Sequence, residues 1–277
     1  MIKADLRMHG VIGFQDHWLR LQGYEGKNLL QLIADRCFER DLGICAVTSN
    51  DLEITKGTVC DRFGYLMQFI SKLPIGYRAD KLGDNTLIVE KGGKIVYLVN
   101  GQIIQDESKR YNHLVVGSNQ VPNGRDLEDT LGYGRDKGLI QVMGLSFVEN
   151  HFGIGLERLE RCKGYYDAIE GHNAQLLFSF ITRSNEGAHV FAQECNKPII
   201  AVSGAHRIRD LGVSYIDLRE MPNTSNEDKF LMELKRQVSS GKFDAHKAYV
   251  PVFGFLRCFL GMKLFMVLHP EEKTFPF

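Results

Sequence analysis

The sequence predicts an α/β fold built as a single barrel-like domain, on three observations. Short apolar runs alternate with segments of helical periodicity, which implies a mainly parallel sheet covered on both faces. The 277 residues, with 44% hydrophobic and 25% charged side chains, are enough chain of ordinary globular composition to bury one full core. No low-complexity tract, linker or short-period repeat divides them.

The elements follow in order. Met1, Ile2, Ala4 and Leu6 form an apolar run into Arg7-Met8-His9, a strand delivering polar side chains at its C-terminal end. Residues 7 and 9 lie two apart and so share a face on a strand. "NLLQLIADRCFERDLG" places Leu29, Leu30, Ile33, Ala34 and Cys37 on one helical stripe, with Gly43 as the expected stop. "ICAVTSND" is too brief for a helix and ends in polar residues. "YLMQFISKL" is helical by its stripe, and a turn follows near Gly83-Asp84. In "TLIVEKGGKIVYLVNGQ" the Gly92-Gly93 pair between apolar runs predicts a β-hairpin. "NHLVVGSN" and "GLIQVMGLSF" are further buried strands on either side of a polar helix, "GRDLEDTLGYGRDKG". A helix and strand come next in "GLERLERCKGYYDAIEGHN", then helix, strand and polar loop in "NEGAHVFAQECNKPIIAVSGAHRIRDLG". The barrel is assigned to residues 1–220, and residues 221–277 to a helical extension packed on or beside it.

Zero formal net charge gives no support to a nucleic-acid or membrane-surface role, since both usually need a basic excess. The six cysteines contain no CxxC, so reduced thiols and a cytoplasmic location are expected; no signal-peptide pattern opens the sequence. "PVFGFLRCFLGMKLFMVLHP" is apolar enough to resemble a membrane segment. Arg257 and Lys263 interrupt it, and either charge is costly at a bilayer centre. The expectation is a buried or interface-packing helix, a surface for a protein partner or a second copy of the chain, and no membrane.

In a βα barrel the functional face lies at the C-terminal ends of the strands. Those ends are Arg7 and His9, then Thr48 to Asp51, Gln102, the Met143 to Ser146 region, Glu170 to Asn173, and Ser203 to His206. Taken in order, these pieces resemble the PHP (polymerase and histidinol phosphatase) family of metal-dependent phosphoesterases. Where the family opens with D-L-H-x-H, this chain has Asp5-Leu6-Arg7-Met8-His9. "ERDLGICAVTSND" is similar to the segment ending T-D-H-D, Asn100-Gly101-Gln102 to the G-x-E strand, "NHLVVG" to G-H-L-L-x-x-G, and "GLIQVMGLSF" to the strand running into H-P. Asp167-Ala168-Ile169-Glu170-Gly171-His172-Asn173 matches D-A-I-E-x-x-N intact, and Ser203-Gly204-Ala205-His206 stands for S-D-A-H. The resemblance covers residues 2–218 and implies a distorted (β/α)7 TIM-like barrel.

What departs is the metal chemistry. Family members hold a di- or trinuclear centre with histidines and carboxylates at these positions. Here the first histidine is Arg7, the T-D-H pair is Ser49 and Asn50, the glutamate is Gln102, the H-P histidine is Met143 or a neighbour, and the aspartate of S-D-A-H is Gly204. A guanidinium where a cation would sit repels it by several kcal/mol even at an effective dielectric of ~20. Only His9 and His206 stand in ligand positions, and two secure ligands are too few for a catalytic zinc. No cofactor is therefore the first expectation. The alternative is a single Zn or Mn ion on His9 and His206, helped by Asp16 or His17.

Two readings of Arg7 stay open. It plugs the barrel mouth by pairing with Asp51, Glu170 or another carboxylate, or it holds an anion such as a phosphate by a bidentate contact. The candidate pocket is Arg7, His9, Asn50, Asp51, Gln102, Glu170 and His206. His113 is expected to pack and hydrogen-bond rather than ligate. The implied function is a non-catalytic binding or scaffold protein with a pocket for a phosphate-containing small molecule. The alternative is a metal-dependent phosphoesterase acting on phosphate esters or nucleotides with a reduced metal site. No catalytic residue is assigned.

Overall fold

The computed structural model describes residues 1–9, 23–24, 26–50, 61–105, 112–122, 126–144, 160–175, 179–251 and 260. Eleven strands form one sheet among them, in the order β11-β10-β1-β2-β5-β6-β7-β8-β9, with β3 and β4 branching from β5. The strands are β1 (Ile2–His9), β2 (Leu42–Asn50), β3 (Tyr77–Lys81), β4 (Thr86–Lys91), β5 (Lys94–Gln105), β6 (Asn112–Val116), β7 (Ile140–Gly144), β8 (Ala168–Asn173), β9 (Ile199–Val202), β10 (Tyr215–Leu218) and β11 (Phe243–His246). The helices are α1 (Leu29–Arg40), α2 (Arg62–Met67), α3 (Leu127–Asp136), α4 (Ser179–Glu194) and α5 (Glu227–Ser239).

Seven strands, β1, β2 and β5 to β9, make a nearly closed barrel. The sheet curls until the segment after β9 meets β1, where the Gly204 amide donates to the Arg7 carbonyl at 3.0 Å. Asp5 fastens the same seam. Its buried carboxylate accepts from the backbone amides of Ser203 at 3.1 Å, Gly212 at 3.1 Å and Arg7 at 3.4 Å. Burial pushes its pKa up to about 6, partly offset by those hydrogen bonds.

The sheet is mixed rather than mainly parallel: β1–β2, β2–β5, β7–β8 and β8–β9 pair parallel and the other pairings are antiparallel. Its two sides are both apolar, as a sheet covered on both faces requires. Ala4, Leu6, Ile44, Ala46, Val99 and Val142 share one cluster with Phe230, Leu234 and Val238 of α5, spaced four apart on its buried face. Met8, Cys45, Val47 and Leu98 lie in the other, under the stripe Leu29, Leu30, Ile33, Ala34 and Cys37 of α1. That stripe is the one the sequence predicts. Its stop differs: α1 ends on Asp41 in the left-handed region (φ 54°), and Gly43 belongs to β2. A short polar side chain tolerates that conformation, so glycine is not needed there.

The Gly92-Gly93 hairpin is present, with both glycines at positive φ between Lys91 and Lys94. The helix expected over "YLMQFISKL" begins earlier, at Arg62, and gives way to a 3-10 turn at Ile70–Lys72. β6 runs antiparallel to both β5 and β7, which is the distortion in the barrel. The apolar C-terminal stretch lies outside the described residues, apart from Pro251 and Leu260. Among the described residues no helix is long and apolar enough to cross a membrane.

Two irregularities aim side chains. Between Asp5 and Met8, β1 gains a residue relative to β2, and β8 shifts register against β9 between Glu170 and His172. Such bulges re-aim side chains at the rims of barrels.

Candidate functional site at the barrel mouth

Arg7 is fully buried, and its Nη1 meets Glu170 Oε2 at 2.5 Å; both side chains are shut off from solvent. Glu170 Oε1 in turn accepts from Asn173 Nδ2 at 2.9 Å, and Asn173 Oδ1 accepts the Gln175 amide at 3.0 Å. The bulge in β8 lets Glu170 and Asn173 share this network. A charge-assisted contact of this length is the strong kind of hydrogen bond, and both ions need it, since an unpaired buried charge is far costlier.

His206 is partly exposed, on the loop after β9. Burial, then the guanidinium charges of Arg62, Arg7 and Arg207, push its pKa down to about 4, so the ring is neutral near pH 7. Arg207 is locked onto Asp210 by two contacts of 2.6 Å, Nε to Oδ2 and Nη2 to Oδ1. Arg62 differs. It opens α2, its Nη1 donates to the Thr48 carbonyl at 3.0 Å, and its amide donates to Ser49 Oγ at 3.2 Å. Its buried Nε has no hydrogen-bond partner among the described residues, and no carboxylate there pairs with it. A buried orphan donor on a charged group calls for an explanation.

Arg62 escapes sequence reasoning. A cation in the first turn of a helix opposes the macrodipole, and that is a signal, but only once the helix start is known. Gln102 is buried on β5 and clamps the segment after β6. Its Nε2 donates to the Val121 carbonyl at 2.9 Å, and its Oε1 accepts the Val121 amide at 2.8 Å. His113, also buried, bonds Gln141 Oε1 through Nε2 at 3.2 Å. Gln141 Nε2 donates to the carbonyls of Leu131 and Tyr165, which orients that amide and makes His113 Nε2 the donor. Burial lowers the His113 pKa to about 4.

Of the other sequence-predicted residues, His9 and Asn50 end β1 and β2, with His9 in register with Thr48. Asp16, His17 and Asp51 lie outside the described residues. The structure thus brings Arg7, Glu170 and His206 to one place and commits Gln102 to the backbone beside it.

A family model described as PHP-associated matches residues 182–238, from α4 through α5. The fold is similar to that of PsfC from Pseudomonas syringae PB-5123, at 15% identity and a TM-score of 0.61, covering 96% of this chain and 98% of that one. The matched segment is PHP-associated and the barrel is PHP-like, in line with the resemblance of the strand-end motifs. Lesser similarity extends to the lesion-specific endonuclease PfuEndoQ from Pyrococcus furiosus (11% identity, TM-score 0.48, 88% of this chain and 57% of that one). An endonuclease Q complex with a 27-mer duplex carrying an abasic lesion is comparable (13%, 0.45, 84% and 56%). No curated protein matches the sequence.

The resemblance to the PHP family implies a metal cluster at this mouth, and the described residues do not fit one. Where the resemblance puts the first histidine ligand there is a guanidinium already bonded to the nearest carboxylate, and His206 sits in the field of three arginines. Among the described residues no group of three or more His, Cys, Asp or Glu side chains is placed to hold a metal ion.

Proposed function

We propose that this PHP-like chain is a non-catalytic binding protein whose barrel mouth holds a small anion such as phosphate on Arg62. The Arg7–Glu170 ion pair carries the reading. It occupies the place of a cation with a fixed positive charge that is internally neutralised, so it plugs the barrel and leaves the ligand contact to another group. Arg62 is that group, because its guanidinium is buried beside the plug with a spare donor. Burial lowers the His206 pKa first, and the guanidiniums of Arg62, Arg7 and Arg207 add a positive field there, which repels metal ions and attracts anions. His9, Asn50 and Asp51 remain the sequence-based candidates for this pocket, and residues 221–277 are the extension whose apolar end meets a protein partner or a second copy. Neutral net charge argues against a nucleic-acid ligand.

Two titrations test this together. Inorganic phosphate followed by calorimetry binds the wild type and binds Arg62→Met roughly 10- to 100-fold more weakly, the worth of one charge-assisted hydrogen bond. Zn²⁺, Mn²⁺ or Fe²⁺, equilibrated in excess and desalted, leaves far less than one equivalent per chain by elemental analysis. Equal phosphate binding by the two proteins overturns the anion site. A full equivalent of metal, lost in His9→Ala and His206→Ala, restores the metal-dependent phosphoesterase reading.

A further inference from the structure

A second pocket of about 470 Å³ lies between the end of β8, the face of α4 and the segment after β11, lined by Gly171 and His172, which follow Glu170 in the chain. It is built on fixed elements. Ser214 holds Ala248 at both ends, its Oγ accepting the Ala248 amide at 2.9 Å and donating to the Ala248 carbonyl at 2.6 Å. The Val250 amide donates to the Ala174 carbonyl at 3.0 Å. The strap that carries Lys247 and Tyr249 is therefore tied to the barrel on both sides of the pocket.

The protonation states follow from the bonds. His172 Nε2 meets the Ala248 carbonyl at 3.0 Å and must donate to it. His189 bonds the Gly171 carbonyl, and its Nε2 receives Lys247 Nζ at 3.0 Å, so that nitrogen is the acceptor. Both imidazoles are neutral, in keeping with pKa values lowered first by burial. Lys247 gives one N–H to His189 and has no carboxylate within ion-pair distance among the described residues. Burial lowers its pKa, with no acidic neighbour offsetting it. Tyr249 lays its ring against that of His172, centroids 4.7 Å apart, and its oxygen accepts from Asn185 Nδ2 at 3.2 Å, leaving the hydroxyl proton for a ligand. Glu186 stands exposed on the same wall.

We propose that this pocket binds a small monocarboxylate with a flat apolar body, its carboxylate on Lys247 Nζ and the Tyr249 hydroxyl and its body against the Tyr249 and His172 rings. The charge count selects the class. One ammonium without a carboxylate partner matches one negative charge, and Glu186 opposes a second, so phosphate dianions and dicarboxylates are disfavoured. The pocket is large enough for an aromatic acid.

Benzoate is the probe, followed by ligand-observed NMR. As a fragment it is expected to bind in the millimolar range. Lys247→Met weakens it at least tenfold, whereas Arg62→Met at the barrel mouth leaves it unchanged, which keeps this site separate from the proposed phosphate site. Benzylamine, of the same shape and opposite charge, does not bind. Phthalate binds the wild type more weakly than benzoate and gains in Glu186→Gln. Benzoate binding that is absent in the wild type, equal in Lys247→Met, or lost instead in Arg62→Met overturns the proposal.

Discussion

The barrel mouth and the Lys247 pocket handle buried and exposed cations in opposite ways. At the mouth, two of the three guanidiniums around His206 are matched by carboxylates: Arg7 by Glu170 at 2.5 Å and Arg207 by Asp210 through two contacts of 2.6 Å. In the pocket, Lys247 leans on a neutral imidazole at 3.0 Å and faces open space. Compensated charge deep in a barrel is structural, because its removal strands a partner. Uncompensated charge beside a cavity costs the fold little and is available to a ligand. Arg62 lies between the two: buried like the first kind, unmatched like the second.

The largest effect should come from breaking the compensated pair. Glu170→Gln leaves the Arg7 guanidinium buried without its anion and should cost about 3–5 kcal/mol in urea unfolding. The double variant Arg7→Met, Glu170→Met removes both charges and should recover most of that loss, since replacing a whole buried pair with apolar groups is often near neutral. A double variant as unstable as the single one would show that the Asn173 network and local packing, not charge compensation, hold the mouth together.

A buried titratable group with no acid beside it has a third option, which is to stay neutral. His113 takes it, with a pKa of about 4 against an ordinary 6.5. Between those values the unfolded chain binds the extra proton, so stability from this residue is complete above pH 6.5 and is lost as the pH falls toward 4. His113→Gln should therefore lose less stability than the wild type on going from pH 7 to pH 4.5. The difference in urea-derived free energies should be on the order of 2–3 kcal/mol. Parallel curves for the two proteins would mean that the imidazole charges without penalty and that the interior is wetter than its contacts suggest. Asp5 works in the opposite sense, its raised pKa favouring the folded state as pH falls through about 6, and it is common to both proteins.

Much of this arrangement is legible in the sequence. The alternation of strands and helices, the α1 stripe, the Gly92-Gly93 hairpin and Glu170 as one of the candidate partners for Arg7 all follow from periodicity, turn chemistry and family resemblance. The antiparallel course of β6 does not, because an apolar run of five residues has no direction. The bulges are equally silent. One extra residue in β1 and a shift in β8 decide which side chains reach the mouth, and nothing in "DLRMH" or "IEGHN" marks them. The Lys247 pocket is the least legible part. Its histidines are seventeen residues apart on β8 and α4, and its lysine follows 58 residues after the nearer one, joined only by the folding of the strap against Ser214.

The smallest expected effect is the sharpest test of the contrast. Lys247 has the same charge as Arg7 but is exposed, and among the described residues its hydrogen bond runs to a neutral ring. Removing it strands no ion, and His189 Nε2 is left to water. Lys247→Met should therefore shift the urea midpoint by no more than about 0.5 kcal/mol, the range of an ordinary surface substitution. A loss of several kcal/mol would place Lys247 with Arg7 as part of the scaffold. Stability unchanged while carboxylate binding is lost would separate the two kinds of cation in one protein, one holding the barrel shut and the other waiting for a ligand.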